Sequence, residues 1–324
     1  MANGSWFGAF LLHVFLIDIW IMSPFAPIVA IALIFGGYVT SGATILALIA
    51  AINLIRFPYM PSTVEAIHNL DMAKYYQNCE LRGALDQMAS SKCLYCFHPH
   101  GILSVGFSAN GIWSRKFNAL AGSGAPGDAA GGWRGTLFLV ADNLRKGPFS
   151  GLFKILCDVT GRIESASKAK IQQLMREKQN IAIIPGGFQD ATLFAHGKER
   201  TAMSERKGLI KYALEQGYKL YPIYTFGESQ TFWSFTSFLH FRLWLNKFNI
   251  PAVAFVGEPL LPILPLRSSN IYTYVGPPLQ LPTIASPTDA QVSAWHAKYI
   301  QALVDLFEAN KAAAGYPDAK LEIW

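Results

Sequence analysis

The chain has 324 residues, is 52% hydrophobic and only 15% charged, so it can bury a large core and is neither a disordered segment nor a linker. Its charge is unevenly placed: as far as Ile55 the sole formal charge is Asp18, whereas all 27 Lys and Arg lie from Arg56 onward against 20 acidic residues, leaving that part at +7. Four cysteines, Cys79, Cys93, Cys96 and Cys157, exclude a disulfide scaffold, and with nothing resembling a cleaved export signal they predict reduced thiols facing the cytosol.

Trp6 to Ser23 is an 18-residue apolar stretch interrupted by His13 and Asp18, and Pro24 and Pro27 are expected to break its helix. Phe25 to Ile55 adds an apolar stretch of 31 residues. As one straight helix it would reach about 46 Å against roughly 30 Å of hydrocarbon, so it must tilt, bend or divide, with Gly36-Gly37 and Gly42 marking the break. A buried core hairpin would carry a polar face, and these stretches have almost none, which favours membrane insertion. No basic residue precedes them, and Arg56, Lys74, Arg82 and Lys92 follow, so the body is expected on the cytoplasmic side, two passes placing both ends there. The expected organisation is a membrane-embedded hydrophobic hairpin over 1–56 and a cytosol-facing α/β domain over 57–324.

From Lys92 short apolar runs alternate with amphipathic helices, the pattern of an α/β domain. Cys93–Phe97, Leu137–Ala141, Gly161–Glu164, Asn180–Ile184, Leu220–Phe226 and Tyr272–Val275 read as strands. Ser165–Gln179 and Glu205–Gln216 read as helices, the second stopping at Gly217. A last helix runs from about Thr288 to Ala314, Pro287 suiting its first turn. Its stripe of Val292, Trp295, Tyr299, Leu303, Leu306 and Phe307 points to core packing. Ala121 to Gly135 is dominated by Gly and Ala and reads as a flexible loop. Within it, Gly122-Ser-Gly124-Ala-Pro-Gly127 matches a dinucleotide-binding pattern, but neither the strand before it nor the helix after it is present.

Cys93-Leu-Tyr-Cys96-Phe-His98-Pro-His100 holds four potential zinc ligands. A zinc knuckle needs a tight turn between its cysteines, and in a strand Cys93 and Cys96 point to opposite faces, so no metal site is expected. His98-Pro99-His100-Gly101 is the strongest constellation. Two histidines one residue apart in extended chain project to the same side, proline fixes the backbone, and glycine permits close approach. It also falls at a strand end, where α/β folds place catalytic groups. No G-x-S-x-G occurs, so a histidine would have to activate the substrate's own hydroxyl.

Phe97-His-Pro-His-Gly101, Ile184-Pro-Gly-Gly187, Arg206-Lys-Gly208 continuing to Tyr221-Pro-Ile-Tyr-Thr-Phe-Gly-Glu228, Val275-Gly-Pro-Pro278 and Leu306-Phe through Gly315-Tyr-Pro317 occur in the order seen in the type-2 diacylglycerol acyltransferase family. The chain resembles that family, which includes monoacylglycerol and wax-alcohol acyltransferases, from about residue 55 onward. The resemblance implies a glycerolipid-acyltransferase-like α/β domain, a central mixed sheet flanked by helices and preceded by a transmembrane helical hairpin. It implies acyl transfer from acyl-CoA, a substrate and not a cofactor, to a neutral lipid hydroxyl at the endoplasmic reticulum membrane and lipid droplets. His100 would be the general base, with His98 and Asp190 supporting it. Pro99, Gly101, Pro185, Gly186, Gly187, Arg206, Lys207, Gly208 and Glu228 would line the substrates. Backbone N–H groups near Gly101 or Gly186-Gly187 would stabilise the oxyanion, and Arg206-Lys207 would meet the CoA phosphates, with Lys168, Lys170 or Lys198 as alternates. No metal, protein nucleophile or nucleic-acid partner is implied, and a homo-oligomer is compatible.

Two departures from the family pattern bear on the site. Asp190 stands where Pro-Gly-Gly-x-x-Glu usually ends in Glu. The Asp of the wider H-x4-D motif would fall at Leu103 or Val105, so the carboxylate orienting His100 must come from elsewhere, Asp190 and Glu228 being the first choices. Phe188-Gln189-Asp190 after Pro185-Gly-Gly favours a neutral acceptor such as diacylglycerol. A monoacylglycerol or wax-alcohol acceptor, a non-catalytic lipid-droplet scaffold and a metal-dependent hydrolase are the competing readings.

Overall fold

A computed structural model of the protein describes residues 4–122, 135–248 and 252–324. In chain order its strands are β1 (Asn78–Gly83), β2 (Cys93–His98), β3 (Leu137–Val140), β4 (Ile163–Ser165), β5 (Ile181–Ile183), β6 (Glu199–Thr201), β7 (Lys219–Phe226), β8 (Trp233–Ser234), β9 (Phe255–Val256), β10 (Asn270–Val275), β11 (Leu279–Gln280) and β12 (Leu321–Ile323). Its helices are α1 (Trp6–Phe35), α2 (Val39–Leu54), α3 (Pro61–Leu70), α4 (Val105–Phe107), α5 (Arg115–Ala121), α6 (Asp142–Arg145), α7 (Gly151–Thr160), α8 (Lys168–Arg176), α9 (Gly187–Leu193), α10 (Lys207–Gln216), α11 (Leu239–Leu245) and α12 (Asp289–Asn310).

The main sheet runs β1-β10-β7-β2-β5-β3-β4, with β11 added to β7. Strands β7, β2, β5, β3 and β4 are mutually parallel, whereas β10 is antiparallel to β7 and carries β1 parallel to itself. The expected mixed α/β sheet is therefore present. β2 is buried at every position because both faces of the sheet are covered, which is why its sequence is apolar throughout rather than alternating. Cys93, Tyr95 and Phe97 enter one core with Phe117 of α5 and Leu156 of α7. Leu94 and Cys96 enter the other with α8, α10 and Val292 and Tyr299 of α12, so the two cysteines do face opposite ways. α10 ends at left-handed Gly217, and α12 begins at Asp289 behind a Thr288–Gln291 capping box, so Pro287 precedes the N-cap and lies outside the first turn. The glycine-rich stretch around Gly124 and Gly127 lies outside the described residues.

The prolines do not end α1. The helix continues through Pro24 and Pro27 and instead bends by 45° between Trp20 and Met22. Proline at position 24 removes the N–H that would reach the Trp20 carbonyl and crowds that carbonyl with its ring, so the bend falls one turn upstream. The break at Gly36-Gly37 is where it was expected, and α2 returns along α1. Gly42 lets them touch, since a Cβ there would strike the Ala30 carbonyl and Ile34. The first half of α1 packs on the body: Ala9, Leu12, His13 and Ile17 are buried, and His13 lies against Tyr75 and Tyr76. The hairpin base is pinned to α7, where Lys154 Nζ donates to the Ile55 carbonyl at 2.6 Å and the Phe57 N–H donates to Asp158 at 3.2 Å. Among the described residues no single helix is long and apolar enough to cross a membrane, while Trp6–Trp20 and Met22–Phe35 together pass that test as a bent pair.

Candidate active site

Three adjacent parallel strands end side by side, and each delivers one of the sequence motifs. β2 runs into His98-Pro99-His100-Gly101, β5 into Pro185-Gly186-Gly187, and β7 into Gly227-Glu228. The carboxyl edge of a parallel sheet is where such folds gather their chemistry.

The two histidines have different surroundings. His98 is fully buried, its peptide to Pro99 is cis, and its ring bridges Thr201 Oγ1 at 2.9 Å and Tyr299 Oη at 2.8 Å. Burial pushes its pKa down to about 3, so the ring is neutral at physiological pH. Only one pattern of donors satisfies the chain: the Thr201 hydroxyl donates to the Asp190 carboxylate at 3.2 Å and so accepts from His98 Nδ1–H, while His98 Nε2 accepts from the Tyr299 hydroxyl. His98 is thus a neutral, fully bonded strut. The expectation that both rings present themselves together gives way to a division of labour.

His100 is only partly exposed, and burial lowers its pKa from 6.5. Its Nδ1 lies 3.0 Å from the Gly101 carbonyl, which can only accept, so Nδ1 carries the proton and Nε2 keeps its lone pair. Ser104 Oγ stands 3.1 Å from Nδ1. A backbone carbonyl and a hydroxyl therefore orient the ring, and neither Asp190 nor Glu228 does so directly.

Both carboxylates instead hold the backbone. Asp190, buried on α9, accepts from the His100 N–H at 3.3 Å, from Thr201 and from the Ala202 N–H. Burial raises its pKa to about 6, the hydrogen bonds opposing that rise. Its carboxylate occupies the space where a side chain at Gly186 would stand, so the first glycine of Pro-Gly-Gly is required by the acid four residues later. Glu228 is fully buried and accepts the Val105 and Gly106 N–H groups, each at 2.9 Å, capping the short helix that follows the histidine turn. Burial raises its pKa to about 8. The acid absent from Leu103 and Val105 is thus supplied to the Val105 backbone from a distant strand end.

Arg206 folds over the Pro185-Gly186-Gly187 turn, donating to the Gly186 carbonyl and to Gln189 Oε1, each at 3.2 Å. Lys207 does not join it; its Nζ bonds Ser293 on α12 at 3.2 Å. A Cβ on Gly208 would meet nothing, so no close approach explains that glycine. The Gly187 N–H is already bonded to the Ile184 carbonyl at 3.2 Å, which removes it as an oxyanion donor. Lys170 pairs with Glu164 at 3.6 Å, and Lys168 lies over the Tyr212 ring. The sequence gives no site signal for Thr201, Tyr299 or Ser104: Thr201 sits on a three-residue strand and Tyr299 inside a stripe that reads as core.

Fold and site together define an α/β protein whose histidine-bearing turn is locked at the sheet's carboxyl edge by two buried acids. The chain belongs to the diacylglycerol acyltransferase family, whose sequence pattern matches residues 58–324. It is 27% identical over 230 residues to Diacylglycerol O-acyltransferase 2 of Dictyostelium discoideum, covering 67% of this chain and 66% of that one. To Diacylglycerol O-acyltransferase 2 of Bos taurus it is 28% identical, covering 72% and 65%. To 2-acylglycerol O-acyltransferase 1 of Bos taurus it is 26% identical, covering 78% and 76%. The chain spans slightly less than two-thirds of the length of the first two relatives.

Proposed function

We propose that the protein is an acyl-CoA:diacylglycerol O-acyltransferase that makes triacylglycerol by direct transfer. The observation carrying this reading is the His100 ring, neutral and with its Nδ1 proton committed to Gly101, set on the family's His-Pro-His-Gly turn. Nε2 takes the proton of the acceptor hydroxyl as that oxygen attacks the thioester carbon. The tetrahedral intermediate then collapses, the C–S bond breaks, and the imidazolium returns its proton to the departing CoA sulfur. The N–H groups of Gly101 and Gly186 are the proposed oxyanion donors. Arg206, beside the Pro-Gly-Gly turn, is the proposed contact for a CoA phosphate, and the +7 body draws the polyanion from the cytosol.

The α1–α2 hairpin brings the site to the membrane of the endoplasmic reticulum or the lipid droplet. Its arms, Met22–Phe35 and Val39–Leu54, are 14 and 16 residues long, about 21 and 24 Å against roughly 30 Å of hydrocarbon. A hairpin that enters and leaves on one face fits those lengths better than two complete passes, and both ends stay cytosolic either way. A monoacylglycerol acceptor is the second reading, favoured by the likeness to a 2-acylglycerol O-acyltransferase over 78% of the chain. Microsomes carrying the protein, given labelled acyl-CoA with diacylglycerol, monoacylglycerol or a long-chain alcohol in parallel, decide between acceptors. Triacylglycerol formation abolished by His100→Ala, with the variant still in the membrane fraction, is the expected result; unchanged turnover in that variant overturns the mechanism.

A further inference from the structure

Residues 233–266 carry only three formal charges, Arg242, Lys247 and Glu258, and the described ones among them turn most of their large apolar side chains outward. Phe238 is 75% exposed and Leu260 94%, and Trp233, Phe235, Phe241, Trp244 and Phe248 are exposed with them. Seven large apolar side chains exposed in one short segment differ from the singly scattered ones that are normal on a soluble surface.

Helix α11 is built inside out. Its arginine is buried: Arg242 Nε donates to the Ala252 carbonyl at 2.7 Å and Nη2 to the Thr192 carbonyl at 2.8 Å. Thr192 Oγ1 in turn bonds Asn246 Oδ1 at 2.8 Å. Phe241 and Trp244, spaced i, i+3, line the outer face with ring centroids 5.7 Å apart, and Phe248, on the 3₁₀ turn Asn246–Phe248 that follows, stands 5.0 Å from Trp244. Arginine inward and rings outward is the reverse of a helix resting on a soluble core. The anchor point matters, because Thr192 belongs to α9, the helix that carries Asp190.

The patch continues into α1 through named contacts. Val256 pairs with Trp233, and exposed Leu261 and Ile263 follow in the same excursion. Arg267, whose N–H bonds Glu258 at 2.8 Å, holds its guanidinium 5.8 Å from the Trp6 ring. Trp6 opens α1, whose exposed Phe7, Leu11, Phe15 and Met22 form a stripe leading to the hairpin, interrupted on the same face by exposed Asp18.

We propose that residues 233–248 and 252–263 form a second lipid-contacting surface, seated at the headgroup–acyl boundary of a phospholipid bilayer. The occupant follows from the chemistry: Trp and Phe on an in-plane helix suit that boundary, and the surface is continuous with the apolar stripe of α1. The proposal rests on the membrane reading of the α1–α2 hairpin. It gives α9 and the His100 turn a fixed height above the lipid from which a diacylglycerol is drawn.

The test uses the full chain in phosphatidylcholine vesicles, with the photoreactive residue benzoylphenylalanine introduced singly at Phe241, at Leu48 on α2, or at exposed Glu177. Irradiation and mass spectrometry are expected to give lipid adducts at 241 and 48, both about tenfold above 177, since only buried apolar faces contact acyl chains. Adducts at 48 but not at 241 overturn this proposal and leave the hairpin reading standing. No adduct at either site overturns both. A chain-to-chain crosslink at 241 without lipid assigns the patch to a second copy and also overturns the proposal.

Discussion

The Glu228 carboxylate fills the space in which a side chain at Gly101 would stand, and Gly101 itself has a φ of +63°. Glycine is therefore required twice over, by the left-handed backbone and by a buried acid from the neighbouring strand end. Gly101→Ala pays about 1–2 kcal/mol for the conformation alone, before the clash is counted. The variant is expected to melt several degrees lower and to lose acyl transfer, because the carbonyl that holds His100 Nδ1 belongs to this residue. Thermal melting and the microsomal assay together check this; wild-type turnover in Gly101→Ala contradicts it.

On the proposed mechanism, the pH dependence of transfer follows from His100. A general base must be unprotonated, and burial lowers this imidazole from 6.5, so the acid limb of kcat/KM should have its midpoint below 6.5. Removing the base is worth roughly 100- to 10,000-fold in rate. Ser104→Ala, which removes a contact at 3.1 Å but leaves the Gly101 carbonyl in place, should cost far less than His100→Ala. An acid limb above 6.5, or equal losses in the two variants, contradicts the assignment.

Asp190 is fitted to its length. Its carboxylate occupies the space beside the Gly186 Cα while taking three donors, so the extra methylene of glutamate would shift the carboxylate away from them. Asp190→Glu is expected to destabilise by about 1–3 kcal/mol through overpacking, and to slow transfer by displacing the His100 backbone. Chemical denaturation of the purified variant reads the first effect and its kcat the second. A variant equal to wild type in both shows that the turn tolerates either acid.

Much of this was legible because the central strands are buried on both faces. Cys93–Phe97 and Leu220–Phe226 read as strands because they are largely apolar runs ending in turn residues, and their motifs mark the sheet edge directly. β1 shows no such run because Asn78-Cys-Glu-Leu-Arg-Gly is an edge strand with polar positions, paired on one side to β10. β6 and β12 are three residues each and exist by pairing with one another. Tyr299 reads as core, and its ring lies there; that its hydroxyl meets His98 depends on how a helix 201 residues along the chain docks. Asp190 and Glu228 were picked out as acids, but only the fold reveals that they bond backbone rather than imidazole.

The hairpin base should be sensitive to a single buried acid. Asp158 takes Lys154 at 2.6 Å and Arg145 at 2.8 Å, its side chain 3% exposed, and it also receives the Phe57 N–H at the end of the hairpin. Burial works against its ionisation, but Lys154 and Arg145 hold the carboxyl below its ordinary range. Asp158→Asn leaves two cations facing a neutral group and should cost about 3–5 kcal/mol. Limited proteolysis is expected to cut the variant faster between Leu54 and Pro61 than the wild type, and equal rates argue that other contacts secure the base.

Tyr299→Phe tests whether His98 is a strut or a catalyst. The change leaves His98 Nε2 buried without its donor, at a cost of about 1–3 kcal/mol, yet it touches nothing that reaches substrate. Stability should therefore fall while the pH midpoint of transfer, set by His100, stays put. The same residue shapes acid sensitivity. His98 is held at about 3 when folded against 6.5 as its ordinary value, so below 6.5 the unfolded chain binds a proton that the folded one refuses. That stability is complete above 6.5 and is lost progressively as pH falls toward 3. His68, pushed down to about 4 by burial and by Arg162, adds to the same slope. A His98→Gln variant, less stable overall, should consequently lose part of the fall in melting temperature between about pH 7 and 5 and keep the part due to His68. If the pH midpoint of transfer moves in Tyr299→Phe, His98 takes part in the chemistry and the division of labour between the two histidines fails.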